Sequence, residues 1–134
     1  MTVGVMFKKR SFMFKKILPL ISILVCLSFL IIGCSKNISQ EAKHCGETAV
    51  NAVENYLDGN ITIEEALATV NNSETEFNDF RKTHSYSDDK QESNDFHVDI
   101  GLTILSNNLF LHSMGDVDEK AMWKACNDFS SNLK

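Results

Sequence analysis

Proline and glycine are scarce in this chain. Its 134 residues include one proline, Pro19, and six glycines. No proline follows Cys34. Proline and glycine are the residues least compatible with a helix interior, so their scarcity favours long helices after residue 34.

Acidic residues are absent from the first 33 positions. All 18 Asp and Glu residues lie in residues 34–134 with only 8 of the 13 Lys and Arg residues, so this region has a formal charge of −10. An acidic exterior is unfavourable for binding nucleic acid or anionic lipid. We therefore expect no nucleic-acid partner. The 101 residues of this region allow one small domain.

Motifs that carry chemistry are also missing. The sequence has no glycine-rich phosphate loop, Gly-x-Ser-x-Gly elbow or dinucleotide fingerprint, and no closely spaced Cys or His pairs of structural metal sites. Glu41, His44 and Thr48 share a predicted helix face, but they are typical of a solvated surface. His44 and Cys45 point about 100° apart on a helix, which is poor geometry for proton transfer. The sequence predicts no enzyme, no metal and no cofactor.

What the chain does have is a basic and apolar leader. Five Lys or Arg residues lie between residues 8 and 16, and residues 17–32 form an uncharged apolar run of 16 residues before Gly33 and Cys34. A basic end, an apolar middle and a small-residue exit are the three parts of an export signal. The run is shorter than the roughly 20 residues of a bilayer span. A removable signal is favoured, and an uncleaved signal anchor is the alternative.

The end of the leader resembles the lipobox of bacterial lipoproteins. Ile31-Ile32-Gly33-Cys34 matches the pattern of an aliphatic residue, a small or aliphatic residue, Gly or Ala, and Cys. The resemblance covers residues 13–34 only, and Leu followed by Ser or Ala is commoner than Ile31 and Ile32. It implies cleavage before Cys34, diacylglycerol on the Cys34 thiol and often fatty acylation, as by palmitate, of the new amino end.

This resemblance implies a domain organisation and a location. The expected parts are a signal peptide at 1–33, a lipidated polar tether at 34–40 and a helical domain at 41–134. The domain would lie on the extracytoplasmic face of the cell membrane. Each buried methylene of an acyl chain contributes ~0.8 kcal/mol, so two chains hold a protein stably where one does not.

Four amphipathic helices are predicted in the domain, at about residues 39–57, 62–82, 94–113 and 116–133. Apolar residues recur at spacings of three and four in each. Four such helices with two tight turns predict an all-α fold, an antiparallel four-helix bundle. The polar residues 83–94 are expected to form a solvated loop of about a dozen residues, which is long for a helix connection.

Capping residues support these boundaries. Ser39 is a plausible N-cap, and Thr62 with Glu65 forms a capping box. Gly59 follows the first helix as a left-handed stop. Asp116 is expected to cap the last helix, with Glu119 completing a looser capping box.

The third helix contains a pattern that is also typical of a strand. Apolar and polar residues alternate from Phe96 to Ile104, as in a strand, but a lone strand would leave backbone groups unpaired. We predict a central helix that is buried on more than one side. Gly101 within it lowers the stability of the helix by about 1 kcal/mol relative to Ala, or permits close packing by a neighbour. The expected core stripe is Phe96, Ile100, Thr103, Ile104, Leu111 and Met114, widened by Val98, Leu102, Leu105 and Leu109.

Two cysteines remain in the predicted domain. Cys45 near the start of the first helix and Cys126 near the end of the fourth would lie at the same end of the bundle. A disulfide between them, or two buried free thiols, are both consistent with the sequence. By reducing the entropy of the unfolded chain, a bridge would stabilise the fold by roughly 4.5 kcal/mol.

Two functions follow from these features. The first is a non-enzymatic interaction module on a lipid anchor, which meets a protein partner through the 83–94 loop, Tyr86 and Trp123. The second is a small binder or carrier of an apolar ligand at the envelope, in a cavity lined by the third helix and phenylalanines.

Overall fold

The computed structural model describes residues 37–134. This part of the chain is all-α and contains four helices and no strand, which confirms the predicted fold class. Its helices are α1 (Gln40–Leu57), α2 (Ile63–Thr83), α3 (Asp89–Ser113) and α4 (Glu119–Ser131).

The four helices form an up-down-up-down bundle. Each helix packs against the next, and α4 closes the bundle against α1. The inward faces of α1, α2 and α4 are those predicted from the apolar spacing. Together with α3 they form the core, which consists of Ala42, Cys45, Ala49, Val50, Ala52, Val53, Ala66, Val70, Phe77, Val98, Leu102, Leu105, Leu109, Met122, Cys126, Phe129 and Leu133.

The first two helices begin and end where capping chemistry predicts. The Ser39 hydroxyl accepts a hydrogen bond from the amide of Ala42 at 3.1 Å. Thr62 Oγ1 accepts from the Glu65 amide at 3.2 Å, and Glu65 Oε2 accepts from the Thr62 amide at 2.8 Å. Gly59 has φ 78°, the left-handed conformation that glycine adopts without strain.

The last helix begins later than predicted. Its N-cap is Asp118, whose carboxylate accepts from the amide of Ala121 at 2.7 Å. Asp116 is not the cap because its amide donates to the carbonyl of Leu111 at 3.0 Å, closing α3 around Gly115. The two residues after Gly115 therefore belong to the turn.

The connection between α2 and α3 is shorter than predicted. Only residues 84–88 lie outside helices, and the polar residues 89–94 form the first turns of α3. Asp88 caps this helix through a 2.9 Å hydrogen bond from the amide of Lys90. A helix whose first turns face mostly solvent needs no apolar residue there, so the apolar pattern missed it.

The stripe predicted to face the core on α3 was wrong. Val98, Leu102, Leu105 and Leu109, expected only to widen it, are the buried residues. The predicted stripe points outward instead. Phe129 of α4 packs directly on Gly101, where an added Cβ would lie 2.4 Å from its ring. The glycine thus allows close packing, and this contact orients α3.

Candidate interaction surface

The outward side of α3 is apolar, and we call it the outer face. Among residues 37–134, all the large hydrophobic side chains that are exposed belong to α3 or to its C-cap, with exposures of 38% to 62%. At 100° per residue they fall within about 120° of the helix circumference, opposite the buried residues. The outer face consists of Phe96, Ile100, Ile104, Phe110, Leu111 and Met114.

The outer face is free of charge for most of its length. Residues 100–115 contain no Asp, Glu, Lys or Arg, in a domain where such residues are otherwise frequent. The face extends about 27 Å from Phe96 to Met114 at 1.5 Å per residue. The exposed fractions of its six side chains correspond to an area on the order of 600 Å², the upper end of what ordinary monomers show. A face of this size marks a binding surface or an aggregation liability.

An ion pair borders the outer face on the α2 side. Arg81 Nη1 donates to Asp99 Oδ2 at 2.6 Å, and both side chains are about four-fifths buried. The Arg81 guanidinium also lies 5.2 Å from the centroid of the Phe96 ring. Such a cation–π contact contributes about 0.5–1 kcal/mol at exposed sites. Phe96 is therefore held in place at one end of the face.

Polar contacts continue this border along α3. Thr103 Oγ1 donates to Glu74 Oε1 at 2.7 Å, and Ser106 Oγ donates to Asn71 Oδ1 at 2.7 Å. On the α4 side, Lys124 pairs with Asp128 at 2.5 Å. The outer face thus has a rim of paired polar groups around an apolar centre, the anatomy of protein interfaces.

A buried carboxylate joins the start of α3 to the start of α1. Asp95 is fully buried and accepts a hydrogen bond from the Ser39 amide and one from the Tyr86 hydroxyl, each at 2.8 Å. Burial and the Asp95 carboxylate raise the pKa of Tyr86 to about 12. A buried carboxylate is tolerated only when it is hydrogen-bonded, as here.

The residues before α1 pack on the same end of α3. Asn37 donates to the Asp88 carboxylate at 2.8 Å, and its own carbonyl oxygen accepts from Asn94 at 3.2 Å. Ile38 packs against the core. Residues 37–39, which the sequence assigns to the tether, are therefore held on the domain beside the α2–α3 loop.

The opposite end of α3 is held by His112. A carbonyl oxygen can only accept, so His112 Nδ1 donates to the Val117 carbonyl at 2.6 Å, and its Nε2 lies 3.0 Å from the Tyr56 hydroxyl. These bonds join α3 to the following turn and to α1. Both ends of the helix that carries the outer face are thus fixed.

A shallow groove lies between α3 and α4. It has a volume of about 360 Å³ and is open to solvent. Ile104, Leu105, Ala125 and Phe129 contribute its apolar lining. Ligand sites usually enclose most of their ligand. This groove lies beside the outer face and is open rather than enclosed.

Cys45 and Cys126 are both buried free thiols in this structure. Cys126 Sγ lies 3.7 Å from the Val50 carbonyl, five residues beyond Cys45 on α1, an offset of about 7 Å along the helix. A bridge, which stays a prediction, would need the two helices to shift. Burial raises the pKa of Cys45 to about 11 and that of Cys126 to about 12. Since the thiolate is the nucleophile, neither thiol is reactive at neutral pH.

Between residues 37 and 134, no three His, Cys, Asp or Glu side chains are grouped to hold a metal ion. Nor is any helix in this range long and apolar enough to cross a membrane.

The sequence singled out Cys34 for lipidation and Tyr86 and Trp123 as contact aromatics, and the structure describes the last two. Cys34 lies outside the described residues, as does the whole leader. Tyr86 is tied to Asp95, and Trp123 is half-buried. The aromatic residues on the outer face are Phe96 and Phe110. The charge-free run of residues 100–115, with apolar residues on two opposite faces, was the signal in the sequence that could have found this surface.

Comparison with known proteins found no match to this chain among family models, curated proteins or solved structures.

Proposed function

We propose that this protein is a membrane-anchored lipoprotein whose domain is a non-enzymatic interaction module. Cys34 is its attachment point at the extracytoplasmic face of the cell membrane. The outer face of α3 is its binding surface. The observation that carries the proposal is this exposed, charge-free apolar face on a helix whose opposite face already fills the core.

The energetic argument concerns apolar surface left in water. Burying apolar area contributes roughly 25 cal/mol per Å², so an apolar face on a single rigid helix is a strong driving force for association. Acidic side chains elsewhere keep the domain soluble. The ion pair of Arg81 and Asp99, and the bonds of Asp95 and His112, keep the face in one arrangement before a partner arrives. Such preorganisation lowers the cost of binding.

The anchor is tested by metabolic labelling with a palmitate analogue. The wild-type chain should incorporate the label and sediment with membranes, and Cys34→Ala should do neither. Full labelling of Cys34→Ala would refute lipidation at this residue.

The binding surface is tested by charge substitution. Ile104→Asp places a carboxylate at the centre of the outer face, while Ala68→Asp places one at an exposed position of α2. Partners captured by chemical cross-linking on membranes should be lost with Ile104→Asp and retained with Ala68→Asp. Equal recovery with both variants would remove the outer face from the proposal.

A further inference from the structure

The spacing of residues on the outer face is that of a coiled-coil seam. Ile100, Ile104, Asn107, Leu111 and Met114 follow one another at intervals of four, three, four and three residues. This alternation repeats every seven residues and keeps the positions on one line facing a second helix. We call these five positions the seam. All five are exposed on the domain surface.

We propose that the occupant of the outer face is a second copy of this chain, packed parallel and in register along the seam. The inference rests on the proposed function in one respect, the attachment of Cys34 to the membrane, which sets the parallel direction. The self-association itself rests on the seam.

The area of the outer face suits such a dimer. Complete burial of the outer face on both copies would remove at most about 1,200 Å² from water, the lower end of specific protein interfaces. This area fits a reversible dimer, and confinement of both copies to one membrane raises their effective concentration without new contacts.

Charge also favours the seam as the point of contact. Two domains of formal charge −10 repel each other, and the seam lies within residues 100–115, where no charged residue occurs. On its border, Asp99 and Arg81 neutralise each other, and the Glu74 carboxylate accepts a hydrogen bond from Thr103. A second copy therefore meets least repulsion along this line.

Asn107 gives the seam its register. It is the only polar residue of the five, and it lies at their centre. A single buried Asn in a coiled-coil seam stabilises the arrangement in which it faces another Asn, at a cost in overall stability. In an in-register pair the two Asn107 amides face each other and hydrogen-bond, and a pair shifted by seven residues sets each amide against Ile100 or Met114.

The short connection to Cys34 sets the direction. Residues 37–39 are docked beside the start of α3, so only residues 35 and 36 separate this end from Cys34. Three Cα–Cα steps span at most about 11 Å. A lipid on Cys34 therefore keeps the start of α3 near the bilayer in every copy. With the helices upright on the bilayer, an antiparallel pair would lift one copy's start by about 27 Å, the length of the outer face, which this connection cannot span.

The test is cysteine cross-linking of the full chain on membranes. Ile100→Cys and Leu111→Cys are made separately, with Asn51→Cys on α1 as the exposed control, and treated with a short bis-maleimide. A parallel pair gives covalent dimers with each seam variant alone, at least tenfold more than with Asn51→Cys or wild type. Adding Asn107→Asp to either seam variant should abolish the dimer.

Other outcomes overturn the proposal. Cross-linking that requires a mixture of Ile100→Cys with Met114→Cys would show an antiparallel pair. Absence of dimers with all variants, while other proteins are captured at Ile100→Cys, would assign the face to a different protein. If Ile104→Asp releases the unlipidated Cys34→Ala chain from membranes, the face binds lipid instead. Palmitate labelling of the same samples reports on the anchor separately, so loss of label with retained dimers overturns the proposed function but not the self-association.

Discussion

Replacing Asp95 with Ala should release the residues before α1 from the domain. The Asp95 carboxylate accepts the Ser39 amide and the Tyr86 hydroxyl, both at 2.8 Å, and the residue is fully buried. In Asp95→Ala the buried Ser39 amide loses the carboxylate that accepts its hydrogen bond. The Tyr86 hydroxyl is only half-buried and can turn to water.

The magnitude follows from these two donors. An unsatisfied buried donor costs about 1–3 kcal/mol, and a hydrogen bond to a charged group contributes about 1.5–3 kcal/mol. Removing a buried charge recovers part of its desolvation penalty. We expect a net loss of about 2–3 kcal/mol in the free energy of unfolding. At 4–8 °C per kcal/mol for a domain of this size, Tm should fall by about 10–20 °C. Asp95→Asn keeps one acceptor and should lose about half as much.

The assay is urea unfolding of the full chain in detergent micelles, followed by far-UV circular dichroism. Asp89→Ala is the matched control, because Asp89 lies at the same helix end but is exposed, and its loss should cost less than about 1 kcal/mol. Amide exchange at Ser39 should also accelerate in Asp95→Ala. Equal midpoints for Asp95→Ala and Asp89→Ala would refute the idea that this carboxylate holds the α1 start.

Three further predictions concern packing and titration. Gly101→Ala gains about 1 kcal/mol of helix propensity but places Cβ 2.4 Å from the Phe129 ring, so unfolding by urea should show a net loss of about 1–2 kcal/mol; a net gain would contradict this packing. Because burial raises the pKa of Cys45 from 9.0 to about 11, of Cys126 from 9.0 to about 12 and of Tyr86 from 10.0 to about 12, the folded chain retains protons that the unfolded chain loses. Stability should therefore be full below about pH 9 and fall as the pH rises to 12, and a flat profile of Tm over this interval would disagree. Native protein should be alkylated at Cys45 and Cys126 only after unfolding in urea, as mass spectrometry can record; modification of either thiol without urea would show that it is accessible, and a mass two hydrogens lower before reduction would show the bridge.

Local chemistry accounts for the agreement between sequence and structure. The capping box of Thr62 and Glu65 and the left-handed Gly59 depend on neighbours within a few residues, so the sequence alone predicts them. The start of α3 at Asp89 was missed because its first turns contact water on most sides, and apolar spacing detects only buried faces.

The candidate surface was only partly predictable. The sequence indicated an interaction module but placed its contacts in the 83–94 loop. Seven of those residues are helical, and the aromatic residues exposed on the outer face are Phe96 and Phe110. Burial of Asp95 could not be predicted either, because its partner Ser39 is 56 residues away in the chain.

The sequence by itself determined that four helices form between residues 40 and 131 and that a basic and apolar leader precedes them. It also determined which face of α1, α2 and α4 turns inward. It did not determine which side of α3 faces the core, because α3 has apolar residues on two opposite sides and either satisfies the helical period. The tertiary structure decided this, since the space between α1, α2 and α4 accepts one of the two faces, and Phe129 packs only where Gly101 lacks a side chain. The face left outside became the surface through which we propose that this protein binds its partner.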